Sequence, residues 1–111
     1  MQNLSDLTVP LSALEFSSDE RATATAQQWN TVQVGVLLQS VIEHHANCLI
    51  EDGALHSVSV TFDVSAEAAI GDEISFESRI DRKTRTLIFA SGLASQDGRH
   101  LLKATVVFRI S

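Results

Sequence analysis

A single carboxylate lies inside the longest apolar stretch of the chain. The stretch runs from Gln28 to Ile50, with the sequence QWNTVQVGVLLQSVIEHHANCLI, and it contains Glu43. A carboxylate held at such a surface can act as a nucleophile or as a general base. Polar side chains also recur every four residues along this stretch, at Gln39, Glu43, Asn47 and Glu51. Such a stripe is typical of a solvated helix face, so Glu43 is either a reactive group or a surface charge.

The histidines and the cysteine do not show a familiar metal-binding spacing. His44 and His45 are adjacent, so on a helix their rings point in different directions and do not chelate one ion. His56 and His100 stand alone, and neither a His-x-x-x-His nor a Cys-x-x-Cys pattern occurs. Cys48, the only cysteine, is predicted to be a small buried apolar side chain. The sequence therefore predicts no metal site.

A basic cluster lies in the second half of the chain. It holds four of the eight basic residues, namely Arg79, Arg82, Lys83 and Arg85. In an acidic protein such a cluster is suited to bind the phosphates of a ligand. An exposed turn with solubilising charges, and with Asp81 as a local partner, explains the same pattern. The sequence leaves both interpretations open.

Composition limits the classes of function. The chain has 111 residues, which is the size of one domain, and 44% of them are hydrophobic. The formal charge of −6 and the pI of about 5.0 argue against binding to nucleic acid or to an anionic membrane. We expect a cytoplasmic protein, since a lone cysteine forms no intrachain disulfide and we find neither a signal-peptide pattern nor a membrane-span pattern.

The elements that must position these residues follow from periodicity. Residues 1–10 are predicted to be a tail, and residues 11–111 a single domain that opens with a strand or hairpin. The apolar stretch predicts one long helix that begins between Asn30 and Val34, with Asn30 or Thr31 as its cap. Gly53, after two acidic residues, is the predicted helix stop.

After the helix the hydrophobic period changes to two. The segments LHSVSVTFDV, EISFESRI, TLIFASGLAS and LLKATVVFRI are predicted strands, joined by turns at Gly71-Asp72, RKTR and Asp97-Gly98. The first of them places Val58, Val60, Phe62 and Val64 on one face. Short connections favour an antiparallel meander, whose apolar face the single helix must cover. This is the layout of the hotdog fold, an α+β architecture in which an antiparallel sheet wraps around one long central helix.

The second half of the chain, from VSVTFDV to VVFRI, resembles the hotdog-fold acyl-CoA thioesterases. The shared phrasing is a strand, a Gly-Asp turn, a strand ending in basic residues, another strand, an Asp-Gly-Arg turn and a last strand. The resemblance covers roughly Leu11 to Ile110. It implies hydrolysis of an acyl thioester, with coenzyme A as part of the substrate, the basic cluster binding its phosphates and no separate cofactor.

The helix is also similar to that of thioesterases related to 4-hydroxybenzoyl-CoA thioesterase, which use a helix carboxylate. Gly35 takes the position of their glycine, Gln28 that of the amide seven residues before it, and Glu43 that of the acid eight residues after it. The resemblance implies that Glu43 is the nucleophile or base, that the Gly35 N–H polarises the carbonyl and that Gln28 orients the reactants. Asn47 follows one turn after the acid, where it would contact the substrate.

Two departures support other interpretations. The family's His-Gly-Gly run is replaced by Val34, Gly35 and Val36, which favours the alternative of a non-catalytic hotdog module that binds an acyl thioester or serves assembly. The phrase VGVLLQSVIE also resembles hotdog acyl-carrier dehydratases, but Ser40 stands at the position of their acid. Hydratase or dehydratase activity is therefore a third, weaker interpretation.

The spacing also bears on assembly. Eight residues of helix span about 12 Å, so Gly35 and Glu43 of one helix cannot both reach one carbonyl. The resemblance implies a site shared between two subunits, in a homodimer or a dimer of dimers. A chain of this size buries a modest core, which also favours association.

Overall fold

A six-stranded antiparallel sheet packs against one helix in the computed structural model, which describes residues 9–111. Most of the predicted tail thus lies outside the described residues. The elements are a short 3₁₀ turn (Leu11–Ala13), β1 (Glu15–Phe16), β2 (Arg21–Thr25), α1 (Thr31–Asn47), β3 (Leu55–Val64), β4 (Glu73–Lys83), β5 (Leu87–Gln96) and β6 (Arg99–Ile110). The predicted α+β hotdog architecture is confirmed. Within residues 9–111, no helix has the length and apolarity that a membrane crossing requires.

The predicted N-terminal hairpin is present. In it β1 pairs with β2, with Glu15 opposite Thr23 and Phe16 opposite Ala22. The amides of Ser17 and Ser18 both donate to the carbonyl of Arg21, which closes the turn between the strands. This turn comes to lie beside the C-terminal end of α1.

The helix begins at Thr31, directly after its capping residue Asn30. The side chain of Asn30 accepts from the Gln33 amide at 2.9 Å, and the Gln33 side chain accepts from the Asn30 amide at 2.9 Å. This reciprocal capping box confirms the predicted start. The predicted stop is wrong, because α1 ends at Asn47, and Gly53, with a left-handed φ of 93°, serves instead in the turn toward β3.

The core lies between α1 and the inner face of the sheet. Alternation along β4 buries Ile74, Phe76 and Ser78, as predicted, while the central strand β5 has a more continuous buried run that includes Ala90, Ser91 and Gly92 in succession. The largest side chains that are almost fully buried are Phe76, Phe108, Leu37, Leu38, Ile42, Ile74, Ile88, Leu101, Leu102, Val41 and Val106. The helix therefore contributes one apolar face to the core, and its opposite face stays outside.

The predicted meander is only partly correct. The strand order is β1-β2-β4-β5-β6-β3, so β4, β5 and β6 form a meander while β3 pairs with β6. The segment between β3 and β4 crosses the ends of β5 and β6. There the buried Gln96 side chain accepts from the Ala69 amide at 2.8 Å and donates to the carbonyls of Ala69 and Asp72. This anchored crossover carries the chain from one side of the sheet to the other.

As a result, β3 is an edge strand, and its apolar side chains lie outside the core of one chain. It pairs with β6 along one edge only, and its other edge has no strand partner among the described residues. Its predicted apolar face stays open, with exposed fractions of 53% at Val58, 37% at Val60, 40% at Phe62 and 56% at Val64. A long, apolar, unpaired edge is a template for pairing with another chain.

Candidate active site

A cleft of about 800 Å³ opens at the N-terminal end of α1. Its walls are residues 28–34, residues 66–68 of the crossover and Leu101 of β6. Gln28 is exposed on this wall, directly before the helix. The cleft thus combines a helix terminus with one of the predicted site residues.

The first helical turn gives the cleft its chemical character. The first main-chain hydrogen bond of the helix runs from the Val34 amide to the Asn30 carbonyl, with a length of 3.1 Å. The capping box satisfies the amides of Asn30 and Gln33. The amides of Thr31 and Val32 have no hydrogen-bond partner among residues 9–111. Two free N–H groups at the positive end of a helix can stabilise a developing negative charge.

Gly35 does not start the helix, contrary to what the resemblance implies. Because the capping box starts α1 at Thr31, Gly35 lies in the second turn, where regular helix geometry pairs its N–H with a preceding carbonyl. Gly35 is buried and is not part of the cleft wall. A Cβ at Gly35 would lie 3.3 Å from Phe62 Cε1 and 3.5 Å from Leu102 Cδ2. The absent side chain therefore lets the Phe62 ring of β3 pack against the helix.

Glu43 is exposed in the single chain and lies outside the cleft. It forms no hydrogen bond or ion pair with any described residue. Asn47 of the same stripe is also exposed and Gln39 is half-buried, while Glu51, predicted to continue the stripe, lies beyond the end of α1 and is exposed. Within one chain, the stripe has the surroundings of a surface.

The rotation of the helix decides where this stripe points. At about 100° per residue, Glu43 lies about 80° around the helix from Gly35 and about 100° from His44. Gly35 faces Phe62 of β3, and His44 faces Phe16 of β1, whose ring centroid is 4.4 Å from its own. The stripe thus faces solvent between these two directions, with Glu43 slightly nearer the direction of Gly35 and Asn47 nearer that of His44.

The basic cluster lies at the other end of the sheet from the cleft. Ten residue steps along β4 separate Glu73 from Lys83, a length of about 33 Å. Arg79 pairs with Asp81, with Nε 2.8 Å from Oδ1, and Arg82 lies over the Phe89 ring at 6.0 Å. Lys83 and Arg85 are exposed. One chain alone therefore does not bring the cluster to Gln28.

A serine, a histidine and a carboxylate meet in a cluster that the sequence did not indicate. His45 Nδ1 lies 3.0 Å from Ser78 Oγ, and His45 Nε2 lies 3.9 Å from Glu20 Oε2. Ser78 is only 8% exposed, and it lies in neither the cleft nor its walls. Ser78 instead lines a separate cavity of about 450 Å³, and its contact with His45 ties α1 to β4 and to the hairpin. Three separate elements supply these side chains, which is why no sequence spacing predicts them.

The structure also shows the surroundings of Ser40 and Cys48, two residues that the sequence singled out. The Ser40 hydroxyl donates to the Val36 carbonyl at 2.9 Å, which is an ordinary bond within a helix. Cys48, predicted to be buried, is exposed at the C-cap of α1. The reason is the early end of the helix, which leaves Cys48 outside the apolar face.

Comparison with solved structures identifies the fold. No protein-family model and no curated protein matches the sequence. A phenylacetic acid degradation-related protein from Ralstonia eutropha matches at 22% identity and a TM-score of 0.73, over 93% of this chain and 81% of its own. Thioesterase superfamily member 2 from Mus musculus matches at 18% identity and a TM-score of 0.73, over 88% of this chain and 80% of its own.

A Streptococcus mutans protein bound to acetyl CoA has a TM-score of 0.81 at 11% identity, with 88% of each chain covered. At such identities the likeness establishes the fold rather than the activity. The chain is therefore a hotdog-fold domain with the architecture of thioesterase-superfamily structures.

Proposed function

We propose that the protein hydrolyses acyl-CoA or another acyl thioester at a site shared by two copies of the chain. The observation that carries this proposal is the separation of complementary parts. The cleft, with Gln28 and the free amides of Thr31 and Val32, lies at one end of the molecule. Glu43 lies toward the other end of α1, and the basic cluster lies at the far end of β4. Each chain therefore carries one half of a thioesterase site at one end and the complementary half at the other end.

The open edge of β3 offers a way to join the halves. Pairing of β3 with its copy continues the sheet, satisfies the unpaired edge and covers Val60 and Phe62. A two-fold axis at this edge reverses the partner, so the end carrying its Glu43 and basic cluster lies beside the cleft of the first chain. The same operation makes two identical sites.

The chemistry follows from these positions. Glu43 of one subunit attacks the thioester carbonyl or removes a proton from the attacking water. The amides of Thr31 and Val32 stabilise the oxyanion, a role that the resemblance assigns to the Gly35 N–H, now in the second helical turn. The carbon–sulfur bond then breaks. On the general-base route the thiol leaves with the proton that Glu43 took from the water, and the free acid is the other product. On the nucleophile route the thiolate takes a proton from solvent, and water then hydrolyses the acyl–Glu43 anhydride to release the acid and regenerate the carboxylate. Gln28 orients the water or the acyl group.

The remaining predicted site residues bind the substrate in this proposal. Asn47 is exposed one turn after Glu43 and lies where the partner's cleft would approach. Arg82, Lys83 and Arg85 project from the end of β4 and the following turn, where they attract the phosphates of coenzyme A. Arg79 donates a hydrogen bond to Asp81 and is therefore less free to bind the phosphates. The acetyl CoA bound to the Streptococcus mutans protein of the same fold supports this ligand class.

The test compares wild type with Glu43→Gln on a panel of short, medium and aromatic acyl-CoAs. Release of free coenzyme A is followed by chromatography, because the exposed Cys48 would react with a thiol reagent. We expect Glu43→Gln to lower kcat by about 10²–10⁴-fold, since it removes the reacting carboxylate and keeps its shape. Glu51→Gln, at an exposed carboxylate just beyond the end of α1, is the matched control and keeps wild-type activity. Equal rates for Glu43→Gln and wild type would remove Glu43 from the mechanism.

A non-catalytic module is the second candidate. It is favoured by the burial of Gly35 under Phe62 and by the exposure of Glu43, neither of which lines the cleft of one chain. Binding of a non-hydrolysable acyl-CoA analogue, measured by calorimetry, together with no turnover across the panel, would support this candidate over the hydrolase.

A further inference from the structure

Three metal-ligating side chains converge on the side of α1 away from β3. His44 Nε2 lies 3.9 Å from Asp19 Oδ1 and 4.0 Å from Cys48 Sγ. One ligand atom from each of the three residues lies within 4.8 Å of the other two. All three residues are exposed, so an ion can reach them. None of them lines the cleft of the proposed active site.

We propose that Asp19, His44 and Cys48 form a zinc site that fastens the β1–β2 hairpin to the C-terminal end of α1. Thiolate, imidazole and carboxylate are the donors that Zn²⁺ takes in tetrahedral sites, with bonds of about 2.0–2.3 Å. Such bonds place neighbouring donor atoms about 3.3–3.8 Å apart. The distances from His44 to its two partners are thus close to those of a bound state.

Helix geometry places His44 and Cys48 next to each other. His44 and Cys48 are four residues apart, so their side chains share one face of α1. This His-x-x-x-Cys spacing mixes two ligand types and matches neither the His-x-x-x-His nor the Cys-x-x-Cys pattern. Two such ligands from adjacent turns chelate one ion without distortion of the helix, which is the arrangement of many zinc sites.

The third ligand comes from the hairpin, and its position is fixed by local contacts. Asp19 lies in the turn that the bonds of Ser17 and Ser18 to Arg21 close. Phe16 of the same hairpin packs on the His44 ring, with 41° between the ring planes. The ring contact orients the imidazole so that Nε2 faces both the carboxylate and the thiol. A site held in this way needs little rearrangement on binding.

Local charge favours a cation at this place. The site lies at the C-terminal end of α1, where the carbonyl groups carry partial negative charge. The nearby carboxylates of Glu20 and Asp19 are both exposed. On binding, zinc would displace the proton of the Cys48 thiol, which is released to solvent.

The role of the ion is structural. Three protein donors leave a fourth position for water, as in an open zinc site, but none of the three residues lines the cleft found among residues 9–111. The ion cross-links residues 19 and 44 across the hairpin and the helix, so it stabilises the folded chain over the unfolded one. This inference is independent of thioesterase activity, and its test does not measure turnover.

The test uses the full chain without an affinity tag, since a tag of histidines would bind the metal. Zn²⁺ affinity is measured by competition with a chromophoric chelator, and Co²⁺ serves as the spectroscopic probe. We expect one ion per chain, a thiolate-to-cobalt charge-transfer band and the visible bands of four-coordinate cobalt. Zn²⁺ should raise the Tm of wild type.

The variants assign the ligands. Cys48→Ser should abolish the charge-transfer band, and Asp19→Asn and His44→Gln should each weaken Zn²⁺ binding by about tenfold or more. His100→Gln, on β6 and outside the group of three ligands, is the matched control and should bind like wild type. Unfolding curves without metal establish that each variant folds. Absence of the band in wild type, or equal affinity in wild type and all three ligand variants, would overturn the site.

Discussion

Ile42 of the helix lies directly against the backbone of Gly92 in β5. A Cβ built on Gly92 would be 2.7 Å from Ile42 Cδ1 and 2.9 Å from Leu38 Cδ1, closer than side-chain carbons approach in proteins. Both side chains are fully buried, so neither can turn away into solvent. The absence of a side chain at Gly92 is what lets α1 approach the centre of the sheet.

The first prediction tests this contact. Gly92→Ala should lower the free energy of unfolding by about 1–3 kcal/mol, because the added methyl overpacks a core that has no free space. Chemical denaturation measures the change. Ser95→Ala, on the other face of the same strand, is the control and should shift stability by less than about 0.5 kcal/mol. Equal stabilities of the two variants would contradict the close packing.

The second prediction concerns the crossover that moves β3 to the sheet edge. Gln96→Leu removes the hydrogen bonds to Ala69 and Asp72 and leaves the amide and carbonyl of Ala69 without these partners, while the Asp72 carbonyl still accepts from the Ala26 amide. The free energy of unfolding should fall by about 1–3 kcal/mol, and residues 65–72 should lose protection from hydrogen exchange. Gln27→Leu removes an exposed side-chain amide that makes one hydrogen bond, and this variant is the control. Unchanged exchange in the crossover of Gln96→Leu would refute the anchoring role.

The third prediction concerns the start of the helix. Asn30→Ala should cost about 1 kcal/mol of stability, because the Gln33 amide loses its acceptor. Asn30→Asp keeps an acceptor and should stay close to wild type. A double-mutant cycle with Gln33→Ala should show coupling between the two residues, since each caps the other. Strict additivity would mean that the capping box contributes nothing in solution.

The fourth prediction concerns assembly through β3. Wild type should be a dimer, or a dimer of dimers, at micromolar concentration in light scattering. Val60→Lys should give monomers, because it places a charge on the open apolar edge strand. Thr25→Lys, on the exposed end of β2, is the control and should keep the wild-type mass. A wild-type monomer, or an assembly insensitive to Val60→Lys, would exclude this interface.

The fifth prediction separates a shared site from a site within one chain. Gln28→Ala and Glu43→Gln should each be nearly inactive alone if both side chains serve the reaction. In mixed dimers one site carries both changes and the other carries neither, so random assembly of the two variants restores roughly a quarter of wild-type activity. Co-expression with two separable tags gives the mixed dimers. Two active single variants, or no recovery in the mixed dimers, would argue against sharing.

Local patterns determined most of the elements. The period of two after Leu55, the Asp97-Gly98 turn and the Asn30 cap all depend on residues close in sequence, and all three appear as predicted. The spacing of Gly35 and Glu43 also sufficed to show that one helix cannot present both to one carbonyl. These conclusions required no knowledge of long-range contacts.

Tertiary structure decided which strands pair and which distant residues come into contact. The choice of β6 over β4 as the partner of β3 depends on the crossover held by Gln96, which no periodicity reports. The same choice leaves Phe62 and its neighbours open to a second chain. Asp19 meets His44 and Cys48 only because the hairpin folds back on the end of α1, and contacts over such sequence distances follow from packing rather than from local propensity.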